Sequence, residues 1–81
     1  MKVFSVTDSA VQLDNHFSNT VAIWRMDIKH FKKFYRSYTG ETLSDDLVEI
    51  YEARLLIVKM LLQTLVSDCE VVLDEIKKEN P

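Results

Sequence analysis

The chain contains a single glycine, Gly40, and a single proline, Pro81 at the last position. Sheet proteins need repeated turn-forming residues, and phosphate-cradling loops need clustered glycines; this chain supplies neither. Helix is what remains. After Gly40 nothing interrupts the backbone until Pro81. Across that stretch Val48, Tyr51, Leu55, Val58, Leu62, Leu65, Cys69, Val72 and Ile76 recur at spacings of three and four, an unbroken heptad stripe. Thr42 or Ser44 is placed to cap its start, Asp45, Asp46 and Glu49 suit the positive end, and Lys77 and Lys78 suit the negative end. A helix over residues 44–78 is expected.

The first half repeats the rhythm. Phe17, Val21, Trp24, Ile28, Phe31, Tyr35 and Tyr38 alternate steps of four and three, and Leu13, Ala10 and Val6 extend the register backward. Ser9 with Gln12 forms a capping-box pattern, so a helix over residues 9–38 is expected. Residues 15–20 (Asn-His-Phe-Ser-Asn-Thr) are poor helix formers and can kink or divide it. Residues 2–7 have strand-like content, which leaves room for a short N-terminal extended segment whose only candidate partner is 21–26.

With 81 residues the chain is one small domain. The expected fold is all-α: a long helical hairpin with its turn at residues 39–43, near Gly40. The second helix is apolar well outside its stripe, at Ile50, Leu56, Ile57, Met60, Leu61, Val66, Val71 and Leu73. Such a helix needs neighbours on more than one side. Either the hairpin dimerises into a four-helix bundle or the first half folds back around the second helix. The length of the stripes favours the homodimer.

No targeting or membrane-spanning signal is read from the sequence. The start is interrupted at Asp8, and the most apolar stretch, 55–66, contains Lys59 and Gln63. A single cysteine excludes a disulfide scaffold and a multi-thiolate zinc site, so a reduced, cytoplasmic setting is expected. Cys69 falls on the stripe and reads as core. His16 and His30 read as solvated or capping groups. Asp27 and His30 share a helix face, but no second such pair completes a metal set. No catalytic residue, metal or cofactor is expected, and the chain is not expected to be an enzyme.

Charge is uneven: residues 1–40 carry six Lys/Arg against three Asp/Glu, and residues 41–81 carry four against ten. Arg25, Lys29, Lys32, Lys33 and Arg36 form one basic face with Trp24, Tyr35 and Tyr38 nearby. One interpretation is a ladder of ion pairs from Arg36, Lys33 and Lys29 to Asp46, Glu49 and Glu52. The other is a nucleic-acid patch, against which the net charge of −3 weighs. The aromatics Trp24, Phe31, Phe34, Tyr35, Tyr38 and Tyr51 at helical spacing read first as core; those off the stripe, such as Phe34, beside Arg and Lys have the composition of an interface hot spot. The partner site is therefore expected on Trp24, Arg25, Lys29, Phe31, Lys32, Lys33, Phe34, Tyr35, Arg36 and Tyr38. The favoured function is a small regulator, adaptor or inhibitor acting through a helical surface on another protein. Phage and mobile-element accessory proteins share this profile. A nucleic-acid-binding dimer and a purely structural oligomerisation module are the alternatives, and no membrane partner is expected.

Overall fold

The computed structural model describes residues 3–79, which form three α-helices and no strand: α1 (Val3–Arg25), α2 (Ile28–Thr39) and α3 (Leu47–Glu79). The all-α class is as expected from the two periodic stripes. Val3 to Thr7 belong to α1 rather than to an extended segment, so Ser9 and Gln12 lie inside a helix, and Lys2 is outside the described residues.

The first half is two helices, but the break falls at Met26–Asp27 and not at 15–20. Asp27 is the reason. It adopts extended backbone, its carboxylate accepts the His30 backbone N–H at 2.8 Å, and its other oxygen bonds the His30 ring at 2.7 Å. A side chain that satisfies an orphan N–H starts a new helix. The Asp27–His30 pair is therefore a cap. Residues 15–20 stay helical because tertiary packing outweighs their propensity. Buried Thr20 returns its hydroxyl to the His16 carbonyl at 2.8 Å, and His16 reaches across to Asp68 on α3 through Nδ1. His16 is thus a cross-helix contact rather than a solvated or capping group.

Helix α2 ends at Gly40, whose φ of 79° is the left-handed conformation that favours glycine. Its N–H closes onto the Arg36 carbonyl at 2.8 Å. The chain then returns along α2 to begin α3, tied by Lys32 to Asp45 and anchored by buried Leu43. The cap of α3 is Asp46, which accepts the Val48 N–H at 3.0 Å; Ser44 instead donates to Glu49. The start of α3 at Leu47 follows from that cap.

The two long helices run antiparallel, as the His16–Asp68 and Trp24–Arg54 contacts require, and span 54 Å. They are the arms of the expected hairpin, but the reversal between them is the whole of α2 plus residues 40–46, rather than a turn at Gly40. Helix α2 folds back onto one side of the pair. The core lies where all three helices meet, formed by Ile23, Phe31, Leu43, Ile50, Ala53 and Ile57, with Met26, Phe34, Tyr35 and Leu61 packed against it.

This arrangement changes which face of α3 is buried. The expected seam is largely in solvent: Val48 is 73% exposed, and Tyr51, Leu55, Leu62, Cys69 and Ile76 are also exposed. The buried residues are Ile50, Ala53, Arg54, Ile57 and Leu65. Leu65 alone of these belongs to the heptad stripe; at about 100° per residue the other four centre roughly a quarter-turn from it. With both α1 and α2 packed against it, α3 serves two neighbours and turns the arc between them inward.

Candidate functional site

The residues expected to bind a partner are spread by the fold over three environments. Phe31 is 0% exposed, at the centre of the core, which puts it out of reach of any partner. Its ring lies 6.2 Å from Phe34 and 6.1 Å from Tyr35, both half-buried, and Phe34 stacks on exposed Tyr38 at 5.6 Å. The aromatics of α2 are thus mainly the means by which this short helix holds to the pair.

The cations of α2 divide likewise. Lys32 is tied to Asp45, whose carboxyl is held below its ordinary value by that hydrogen bond and charge. Lys29, Lys33 and Arg36 are exposed, and the expected ladder to Asp46, Glu49 and Glu52 does not form among the described residues. The reason is the fold-back: α2 does not lie level with the first turns of α3 in a simple hairpin. These three cations make a basic outer face. Arg25 is exposed at the end of α1, and Trp24 is on a different surface again.

That surface is the most distinctive feature of the molecule. Helix α2 covers one side of the α1/α3 pair; the other side is bare along its length. It is lined by Ala10, Leu13, Phe17, Val21 and Trp24 from α1, and by Tyr51, Leu55, Val58, Leu62, Val66 and Cys69 from α3. Phe17, Val21, Trp24, Tyr51, Leu55, Leu62 and Val66 are all exposed large hydrophobics. The side that carries α2 behaves differently where α2 stops. There the helices present Asp8, Gln12, Asn15, Thr64 and Ser67 to solvent, with Val71 the apolar exception. Beyond α2 that side is mainly polar, although a groove at its edge is lined by Ala22, Met26, Tyr38, Met60 and Leu61; the bare face is apolar along both helices. Contiguous exposed apolar surface of this extent marks interaction sites.

Beneath one end of the bare face is a residue that sequence reasoning missed. Arg54 is only 6% exposed, and Nη1 donates to the Trp24 carbonyl at 2.6 Å. Its guanidinium lies 5.0 Å from the Phe31 ring centroid, 5.8 Å from Tyr51 and 5.9 Å from Trp24. Aromatic faces attract a cation, and a planar guanidinium packs against them well. Arg54 Nε is buried with no hydrogen-bond partner. The group ties the end of α1 to α3 and supports Trp24 and Tyr51 from below. An arginine one step from the stripe, amid apolar residues, was the available signal.

Among the described residues no group of three His, Cys, Asp or Glu is placed to hold a metal ion, and no helix is long and apolar enough to cross a membrane. Cys69 is exposed on the bare face rather than packed in the core. No family model, curated protein or solved structure matches the chain.

Proposed function

We propose that the chain is a non-enzymatic interaction protein, a small regulator, adaptor or inhibitor, whose working surface is the bare face of α1 and α3. One observation carries this reading. The pair is covered by α2 on one side only, and the opposite side carries a continuous apolar surface contributed by both long helices. Burying such a face against another polypeptide surface stabilises the assembly in proportion to the apolar area removed from water. Of the expected partner residues, Trp24 and Arg25 border this face, and the remainder belong to α2. A cytoplasmic setting, in which the thiol of Cys69 stays reduced, accords with an exposed cysteine on a binding face.

The test is photo-crosslinking in cells from an unnatural residue placed at Leu62 on the bare face or at Ser67 on the polar side. Protein adducts are expected from position 62 and not from 67. Absence of adducts from 62, or equal adducts from both, overturns the reading.

A second reading has its own support. Lys29, Lys33 and Arg36 form an exposed basic face on α2 with no carboxylate paired to it among the described residues. A nucleic-acid site there predicts binding to an oligonucleotide that weakens steeply with salt, and its loss on replacing these three residues with Glu. Unchanged behaviour in that variant removes the reading.

A further inference from the structure

We infer that the bare α1/α3 face is covered by a second copy of this chain, two hairpins stacking face to face into a four-helix bundle with each α2 outside. The inference rests on the reading of that face as the working surface, and it names the occupant.

The area fits. Where α1 lies beside it, the exposed apolar side chains of α3 run from Tyr51 to Ile76, about 38 Å at 1.5 Å per residue. Two helices side by side are about 20 Å across, which gives roughly 800 Å² per copy. A stable specific interface buries about 800 Å² per partner.

The spacing fits as well. Of the heptad stripe on α3, Val48, Tyr51, Leu55, Leu62, Cys69 and Ile76 are left outside, and Phe17, Val21 and Trp24 continue the same four-and-three steps on α1. A heptad stripe is the pattern that packs knobs into holes along a second long helix. Another copy brings two helices of matching length and pattern.

The Arg25 and Glu52 rim charges favour one orientation. Arg25 and Glu52 are exposed on opposite edges of the face, and both flank grooves lined by Leu55, so they lie at the same level of the hairpin. Neither is in an ion pair among the described residues. A two-fold axis parallel to the helices lays α1 of one copy over α3 of the other, with neighbouring helices antiparallel. Each Arg25 then comes beside the partner's Glu52, twice across one interface.

The experiment is the solution mass of the purified full chain, by sedimentation equilibrium over a wide concentration range. A mass of twice 9.5 kDa is expected for the wild type. Leu62→Glu should leave helicity by circular dichroism intact and give a monomer. Arg25→Glu alone and Glu52→Arg alone should each raise the dimer Kd by about tenfold, and the two together should restore it. Should Leu62→Glu fail to fold, the charge-reversal series decides alone. A monomer up to about 100 μM, a weaker association than about 5.5 kcal/mol, overturns the inference. So does a dimer unaffected by Leu62→Glu, or one that the double reversal does not restore. A monomeric chain whose position 62 crosslinks to a different protein overturns the inference but leaves the proposed function standing.

Discussion

Arg54 fills the closed end of the hairpin. It is a buried cation whose contacts are three aromatic rings and one carbonyl oxygen. Removing a buried charge and filling its volume with an apolar chain is often neutral, whereas leaving a cavity is not. Arg54→Met is therefore expected to melt in urea close to the wild type. Arg54→Ala should lose about 2–4 kcal/mol through lost packing of the stem. A reversed order in chemical denaturation refutes this account. Phe31, fully buried, should cost about 3–5 kcal/mol on replacement by Ala, by the same measurement. Its burial was not readable from periodicity alone. Phe31, Trp24 and Tyr35 share one stripe, and only the position of α2 decides that Phe31 goes inward while Trp24 stays at the surface.

Among the elements, α2 was the one whose boundaries eluded the sequence. Both stripes announced helices, and the C-terminal helix was legible to within a turn because no breaker interrupts it. The break at Asp27 was hidden by a stripe that runs through it, since Trp24, Ile28 and Phe31 keep helical spacing across the bend. The cap that makes it is a three-residue contact with a pH consequence. The His30 backbone N–H, and then the His30 ring, hold the Asp27 carboxyl below its ordinary value. A carboxyl whose pKa is depressed in the folded state contributes stability above its unfolded value and loses it as pH falls through the folded one. Acid should thus loosen α2 before the long helices. Asp27→Asn, which keeps a capping oxygen that does not titrate, should show a smaller decline in Tm between neutral and acid pH. Equal declines in thermal melts across that range would falsify the role of this carboxylate. The bare face was half-legible. Its residues form a stripe in the sequence that the hairpin pattern places inside, because a pattern gives the spacing of a seam and not its partner.

For the whole molecule, cohesion is uneven along the 54 Å axis. Three helices and the Leu43 loop meet at one end, while α1 and α3 continue alone toward the other. Regions with few buried contacts open most readily. Amide hydrogen exchange should be slowest around Ile50, Ala53 and Ile57 and should quicken steadily beyond Asp68 toward Glu79. Uniform protection along α3 would contradict this gradient in the isolated chain. Pairing through the bare face would flatten it, because a second hairpin covers both arms to their ends. The antiparallel course of α1 and α3 also has a mechanical outcome. The start of α1 and the end of α3 lie side by side at the loosely held end, so tension applied between them peels the helices apart one turn at a time. The load reaches the knot of Phe31, Ile50 and Arg54 last. A chain held this way yields gradually under small forces and then gives way abruptly, like a zipper with its slider fixed at the closed end.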